Sequence, residues 1–384
     1  MKPHPTVSVI LTNYNYGRYL RAAIDSALRQ SYAPTEVVVV DDGSTDDSRA
    51  VIASYGDRIV PVLKDNGGQN SAFNAGLRAS KGDVICFLDA DDILFPRAME
   101  HAVLRFRGVA DVAMVHWPLW EVDANGNRNG RTVPPNGGDE GQHLRERVLR
   151  DGPDCYAHPP TSGLSWSRVF LEQVFPIPEQ RSRSDWGATC ADAWLSGLAP
   201  LYGSVHRLVD PQGCYRIHGA NTYVTRSFDE RLQMDLATFT ARCNALTDHA
   251  RRRALSCNPD GWRTQSWICR LAAAVADIAS VVPAAETFLL VDDARWGMDV
   301  TATRKPVPFL ERAGVHWGAP ADDAEAISEL ERMRQAGAVY LVVGWPSFWW
   351  LDHYKFFADH IAARYDCLLN NDRVKIYSLR SRRQ

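Results

Sequence analysis

None of the eight cysteines pairs at C-x-x-C spacing, which removes the commonest zinc and thiol-redox arrangements. They stand at 86, 155, 190, 214, 243, 257, 269 and 367, several inside apolar runs. That pattern predicts reduced, mostly buried thiols in a cytoplasmic protein. An excess of positive charge is also missing. The formal net charge is −3, and no basic stripe offers a nucleic-acid backbone a partner. Long apolar runs are absent as well: the longest, Leu271 to Ala285, is interrupted by Asp277 and broken by Pro283, so it does not span a bilayer. Met1-Lys-Pro-His-Pro5 lacks the apolar core of a signal peptide. The expectation is a soluble cytoplasmic protein, at most peripheral to the inner face of the membrane.

What remains is an ordinary globular composition, 45% hydrophobic and 23% charged over 384 residues, a length that suits two domains. Its sharpest feature is Val84-Ile-Cys-Phe-Leu-Asp-Ala-Asp-Asp92. An apolar strand runs into three carboxylates, so Asp89, Asp91 and Asp92 gather at a strand's carboxyl end, where open α/β sheets bind ligands. Three adjacent anions need solvent or a cation to neutralise them, and hard oxygen ligands suit Mg²⁺ or Mn²⁺. Read in isolation, such an Asp-x-Asp is a solvated acidic turn. The upstream sequence argues otherwise by repeating the same grammar.

Glu36-Val-Val-Val-Val40 is a continuous β-branched run, as in a strand buried on both faces. It ends in Asp41-Asp42-Gly43-Ser44-Thr45-Asp46-Asp47, where Gly43 supplies a turn and Ser44 or Thr45 can cap the next helix. The first strand, Val7-Ser-Val-Ile-Leu11, ends in Thr12-Asn-Tyr-Asn-Tyr-Gly17 and precedes a helix with apolar spacing at Tyr19, Leu20, Ala23, Ile24, Ala27 and Leu28. Three strand ends, near 12, 41 and 89, thus deliver polar groups to one sheet edge. Between them lies the loop Asn66-Gly-Gly-Gln-Asn70, which leads into a helix whose amino end could receive a phosphate. That loop is neither G-x-G-x-x-G nor G-x-x-x-x-G-K-[ST], which argues against a usual dinucleotide fold and a P-loop.

From Val7 to about His218 the chain resembles the catalytic domain of family 2 inverting glycosyltransferases. The carrying segments are 7–15, 39–46, Lys81-Gly-Asp-Val-Ile-Cys-Phe-Leu-Asp-Ala-Asp-Asp92, Cys190-Ala-Asp-Ala-Trp-Leu195 and Tyr215-Arg-Ile-His-Gly-Ala-Asn221. The resemblance implies an α/β fold: a GT-A (Rossmann-like, nucleotide-diphospho-sugar transferase) domain over 1–225. A helical connector over 226–283, broken at Asn258-Pro-Asp-Gly261, and a smaller α/β domain over 284–384 are read from the remaining sequence. The resemblance also implies Mn²⁺ or Mg²⁺ as cofactor, with Asp91 as direct ligand and His218 reaching the metal or the diphosphate. Asp89 would contact the ribose or the metal shell, and Asp92 would hold the loop. Thr12, Tyr14, Asp41 and Asp42 match positions that hold base and ribose, Tyr14 by stacking; read from the residues alone, Tyr14 is equally a packed strand-end aromatic. Asn66 and Gln69 complete the nucleotide-sugar set. Arg216 would pair with phosphate or brace its loop.

Family members place Glu-Asp at the start of a helix to supply the general base. Here Asp192 takes that position and Ala191 replaces the Glu, with Asp185 as the competing carboxylate; an ordinary first-turn Asp is the plain alternative. The implied partners are a nucleotide-sugar donor, most simply a UDP-sugar, and a glycan, lipid-linked or small-molecule acceptor; a homo-oligomer is compatible with all of this. Two other classes stay open, a sugar nucleotidyltransferase and a catalytically silent sugar-nucleotide-binding protein. In the last hundred residues the conspicuous feature is Gly344-Trp-Pro-Ser-Phe-Trp-Trp-Leu-Asp-His-Tyr-Lys-Phe-Phe357. A helix over about 347–364 would bury Phe348, Leu351, Tyr354 and Ala358 against a sheet and leave Trp349 and Trp350 off the stripe.

Overall fold

In the computed structural model, which describes residues 4–32, 35–109, 111–141, 143–179, 190–219, 221, 226–296, 305–313 and 315–380, the apolar runs that end near 12, 41 and 89 are among the strands. In chain order these are β1 (Val7–Asn13), β2 (Thr35–Asp42), β3 (Val60–Lys64), β4 (Val84–Asp89), β5 (Ile93–Leu94), β6 (Val112–His116), β7 (Leu119–Val122), β8 (Arg128–Val133), β9 (Leu164–Ser167), β10 (Ser204–Arg207) and β11 (Gly213–Arg216). The later ones are β12 (Thr287–Val291), β13 (Lys305–Pro308), β14 (Glu311–Arg312), β15 (Val315–His316), β16 (Tyr340–Gly344), β17 (Asp366–Asn370) and β18 (Val374–Ser378). Two compact units result: residues 1–225 with 237–263, and residues 226–236 with 264–384.

The first unit is built on a seven-stranded sheet of order β10-β6-β9-β4-β1-β2-β3. Its β4-β1-β2-β3 part is parallel, while β9 runs antiparallel to β4 and β6. Both faces of β1 and β4 are covered, which is why their sequences are continuously apolar rather than alternating. Helix Gly17–Leu28 buries Leu20, Ala23, Ile24 and Ala27 on one side, each large aliphatic contributing about 1.5–3 kcal/mol. On the other side helix Gln69–Ala79 stacks Phe73 on Phe87 of β4. Gly76 permits that approach, since a Cβ there would meet Ile10 at 2.4 Å.

Register does the positioning. Thr12 pairs across β1–β4 with Asp89, and Asn13 across β1–β2 with Asp41, so residues far apart in sequence meet at one edge. A second sheet, β5-β11-β7-β8, starts directly after Asp92. Its β11 runs antiparallel to β5 and so returns residues 216–218 to the carboxylates at the end of β4. The stretch 125–142 includes the β7–β8 hairpin turn, in keeping with its glycines.

The helical stretch after 226 divides into Phe228–Arg252, Pro259–Gln265 and Trp267–Val281. Asn258-Pro259 therefore opens a helix, with Pro259 at its first position where a missing N–H costs nothing. A second interruption falls at Ser266, whose hydroxyl caps the following helix at Cys269 N. Among the described residues no helix is long and apolar enough to cross a membrane.

The second unit carries a five-stranded sheet, β13-β12-β16-β18-β17, parallel through β16 and antiparallel beyond. Its aromatic segment corrects the single helix expected from spacing. A 3-10 turn at Trp345–Ser347 and a short helix Trp349–His353 precede helix Lys355–Arg364. Tyr354, at φ −93° and ψ 77°, breaks the run. The buried stripe is Trp350, Tyr354, Phe357 and Ile361, one step off the expected Phe348, Leu351, Tyr354 and Ala358, and Trp349 is 43% exposed. The cysteines differ from expectation too: only Cys86 and Cys243 are buried, Cys367 is exposed and the other five are half-buried, all unpaired.

Replacing Trp350 with Ala should cost about 3–5 kcal/mol, as for other buried large-to-small changes. Trp349→Ala should cost well under half of that. Urea unfolding of both variants checks the ordering, and equal losses would contradict the burial of Trp350 rather than Trp349.

Candidate active site

Asp89, Asp91 and Asp92 leave the end of β4 into a space that is almost closed to water: Asp91 is 9% and Asp92 1% exposed. Unpaired charge there would be costly, and each carboxylate is handled differently. Asp92 accepts from Ser162 Oγ at 2.6 Å and from the backbone N–H of Arg216 at 2.9 Å. It therefore ties β4 to the end of β11 and holds the loop, as expected. Asp91 Oδ2 lies 3.0 Å from His218 Nε2. The His218 ring is flanked by Tyr16, edge-on at 5.4 Å, and Tyr19 at 5.0 Å. Asp89 is approached by Thr12 Oγ1 at 3.4 Å and by the Thr161 hydroxyl. Burial, then the charges of Asp91 and Asp192, push its carboxyl up to about 8. Burial followed by Asp91 and Asp89 also raises Asp92 well above the usual carboxylate value.

Arg216 resolves the choice left by the sequence. Its Nε donates to the Asp91 carbonyl at 2.8 Å and its Nη1 to the carbonyls of Asp123 and Ala124 at 3.3 and 3.1 Å. The side chain is buried and spent on backbone acceptors, so it braces the loop. Asn221 closes that loop, accepting from His218 N at 2.5 Å and donating to the Arg216 carbonyl at 3.0 Å.

At the β2 end, Asp41 is fully buried and accepts from Asn13 Nδ2 at 3.0 Å, Arg49 Nε at 2.9 Å and Ser44 N at 3.2 Å. Burial alone would raise its carboxyl, but Arg49, Ser44 and Asn13 outweigh it and hold the group below its ordinary value. Asp42 accepts from Lys64 Nζ at 2.5 Å and from the N–H groups of Gly67 and Gly68 at 3.0 and 2.8 Å. The amino end of helix Gln69–Ala79, expected to receive a phosphate, is thus already served by the carboxylate of Asp42. Neither Ser44 nor Thr45 caps the next helix. Ser44 Oγ instead accepts from Asn13 and from Asn15 N, and Thr45 N donates to Asn15. The helix Ser48–Ala53 receives Asp46 Oδ1 at Ser48 N.

Tyr14 is 47% exposed, so it is not a packed strand-end aromatic. Asn66 is exposed and Gln69 half-buried beside the loop that Asp42 fastens. The φ of +81° at Gly43 and the backbone of Asn66, 2.6 Å from where a Cβ would stand, both require glycine there. Asp192 sits in the first turn of helix Ala191–Tyr202, with Trp194, Leu195 and Leu198 buried behind it. Its side chain accepts from Ala193 N at 2.8 Å, and its charge is felt at Asp89, His158 and Tyr215. Ala191, where a Glu was expected, is fully buried. Asp185 lies outside the described residues.

Sequence reasoning missed Thr161 and Ser162, which hold Asp89 and Asp92 from below. The Pro159-Pro-Thr-Ser-Gly163 run was its signal, a rigid polar turn between apolar segments. It also missed Tyr16, whose hydroxyl is raised by burial and by Asp91, Asp89 and Asp92.

Comparison with known proteins decides the family. Residues 8–161 match the model for glycosyl transferase family 2. A protein of Nostoc sp. described as an uncharacterized glycosyltransferase is 39% identical over 223 residues, covering 57% of this chain and 67% of that protein. The chain belongs to glycosyl transferase family 2. The GT-A arrangement expected of such a glycosyltransferase is the seven-stranded sheet described above. Chondroitin synthase of Escherichia coli is 34% identical over 235 residues, 59% of this chain and 31% of that one. The glycosyltransferase thus spans about two thirds of its Nostoc relative and under a third of chondroitin synthase. Among solved structures, Staphylococcus aureus TarS with UDP-GlcNAc is 18% identical, covers 72% of this chain and 81% of its own, and has a TM-score of 0.46.

The Asp41 cluster generates a pH-dependent expectation. A carboxyl held below its ordinary value stabilises the fold above the unfolded value of 3.8, and that stabilisation disappears as pH falls through the lower folded value. Asp41→Asn should therefore melt below wild type at neutral pH, with the gap narrowing on acidification past 3.8. Scanning calorimetry across pH measures it; a gap independent of pH would contradict the Arg49 pairing.

Proposed function

We propose that this glycosyltransferase moves a hexosyl group from a nucleoside-diphosphate sugar, a UDP-sugar, to an acceptor hydroxyl with inversion at the anomeric carbon. The observation that carries the reading is the buried Asp91–His218 contact of 3.0 Å at the strand end that also bears Asp89, within electrostatic reach of Asp192. Among the described residues no group of three or more metal-binding side chains exists. One carboxylate and one imidazole suit an ion that completes its shell with substrate phosphates, as Mg²⁺ and Mn²⁺ do. Asp91 and His218 would hold it, and when bound it would neutralise charge developing on the departing diphosphate.

The chain's own groups do the rest. Thr12 and Asp89 face the ribose side, and Tyr14, exposed at the end of β1, offers a ring on which the base stacks. Asp41 and Asp42, engaged by protein donors, shape that end of the pocket; Asn66 and Gln69 border it. Asp92 and Arg216 keep the β4 end and the His218 loop in register. On the acceptor side the hydroxyl oxygen attacks the anomeric carbon, the bond from that carbon to the diphosphate oxygen breaks, and the hydroxyl proton passes to Asp192. A modest base suffices, because the hydroxyl acidifies as its bond to carbon forms. The likeness to chondroitin synthase supports synthesis of a polysaccharide, glycolipid or glycoconjugate; the setting in this reading is the cytoplasm, alone or at the membrane's inner face.

The silent-binding reading draws on Ala191, which removes the acid usually next to the base. A panel of sugar nucleotides with Mn²⁺ separates the possibilities: UDP or another diphosphate indicates transfer or donor hydrolysis, pyrophosphate indicates nucleotidyl transfer, and binding without turnover indicates a silent protein.

Two substitutions test the assignments. Asp91→Ala should abolish turnover and weaken Mn²⁺-dependent UDP binding in calorimetry; full activity, or wild-type activity in EDTA, would remove the metal from the reading. Asp192→Asn should lower kcat by about 10²–10⁴-fold, the usual loss of general-base help, with UDP affinity near wild type. An active Asp192→Asn enzyme would place the base elsewhere.

A further inference from the structure

A carboxylate and an imidazole share a cation well only if both side chains keep their aim. Hydrogen bonds at Arg216 and Asn221 fix the backbone around His218, but its ring turns about two side-chain torsions that no backbone contact sets. What surrounds the ring therefore decides where Nε2 points. For a histidine ligand that task usually falls to a hydrogen bond on the other nitrogen. Here two phenol rings bear on it as well.

Both rings come from one turn of one helix. Tyr16 is the N-cap of helix Gly17–Leu28 and Tyr19 lies in its first turn, three residues on and so on the same face. The Tyr19 ring centres 5.0 Å from that of His218 with a 36° tilt, and Tyr16 meets the imidazole at 70° and 5.4 Å. The two tyrosines are 6.4 Å apart, so every pair in this three-ring cluster lies within the range of favourable aromatic packing. Such contacts use ring surface rather than a donor or acceptor. They leave Nε2, 3.0 Å from Asp91 Oδ2, to its own partner.

Tyr19 grips the same loop a second time. The guanidinium of Arg216, two residues before His218, lies 4.8 Å from its ring centre, and that of Arg18 lies 4.4 Å away. The turn that carries the rings is itself held. The N–H groups of Tyr19 and Leu20 donate to the Tyr16 carbonyl at 2.9 and 3.0 Å, and Gly17 N donates to Asp46 at 2.9 Å. A Cβ at Gly17 would stand 2.0 Å from Asp47 Oδ1, so glycine lets the helix start this close to the loop after β2. Behind the turn, Leu20, Ala23, Ile24 and Ala27 are in the core.

We propose that Tyr19, with Tyr16 beside it, is a positioning residue for the metal pair: the first turn of the helix after β1 fixes the plane of the His218 ring so that Nε2 and Asp91 Oδ2 converge on one divalent cation. The inference rests on the reading of Asp91 and His218 as that pair.

The probe is Mn²⁺ titrated in the presence of saturating UDP, followed by loss of the free-ion signal in electron paramagnetic resonance, so neither an acceptor nor turnover is needed. Tyr19→Leu, which keeps apolar bulk and removes the ring, should weaken Mn²⁺ binding by about tenfold, the lower end of what a lost outer-shell partner costs. Tyr19→Phe should bind as wild type does, because His218 meets the ring and not the hydroxyl. A double-mutant cycle decides: on a His218→Ala background, Tyr19→Leu should add nothing. Thermal melting of each variant reports the fold, and if Tyr19→Leu does not fold, Tyr16→Leu carries the same cycle through the other ring. Undiminished Mn²⁺ affinity in Tyr19→Leu, or about the same loss with and without His218, overturns the proposal while leaving the metal pair intact. If His218→Ala binds Mn²⁺ as tightly as wild type, or wild type binds none with UDP, the metal reading itself falls and this proposal with it.

Discussion

Three carboxylates at the end of one buried strand set the terms for the first unit. At neutral pH Asp89, Asp91 and Asp92 would carry three charges within four residues in a space that hardly sees water, and no fold keeps such a cluster without dedicated partners. The partners come from three places: Arg216 and His218 after β11, Ser162 and Thr161 before β9, and Thr12 at the end of β1. Supplying them requires the parallel register of β1 on β4, the antiparallel return of β11 on β5 and the polar turn before β9. The acidic strand end is a liability that the surrounding topology contains.

The two acidic strand ends solve the same problem differently. At β2, Arg49, Lys64 and four further N–H donors engage Asp41 and Asp42, so that edge is electrostatically finished. At β4, among the described residues, the guanidinium in contact is that of Arg216, and it addresses the Asp91 carbonyl rather than a carboxylate. The unfinished edge is where chemistry can be recruited. This contrast explains why Asp41 is held below its ordinary value while Asp89 rises to about 8.

Most of this was legible in the sequence because strands buried on both faces announce themselves. Val37–Val40 and Val84–Leu88 have no polar residue, and the first charge after each marks a sheet edge. The Asp91–His218 meeting followed only from resemblance, since 127 residues separate the pair and no local pattern encodes the β11 return. Side-chain engagement was the least legible level. Asp42 reads as a ligand contact until Gly67 and Gly68 are seen donating to it, and Ser44 reads as a cap until Asn13 and Asn15 claim its hydroxyl. The aromatic segment misled for a different reason: adjacent aromatics fit more than one stripe at helical spacing, and the one that is buried is Trp350, Tyr354, Phe357 and Ile361.

The loss of the usual Glu at 191 looked from sequence like a weakened base. In the fold that position is sealed in the core, so a carboxylate there would face desolvation rather than the acceptor. Asp192 is instead within electrostatic reach of residues distant in sequence, Asp89 and His158. The chain between Tyr156, bonded to the Ser196 carbonyl on the Asp192 helix, and Ser162, bonded to Asp92, ties that helix to the end of β4, so a change in this short segment disturbs both together.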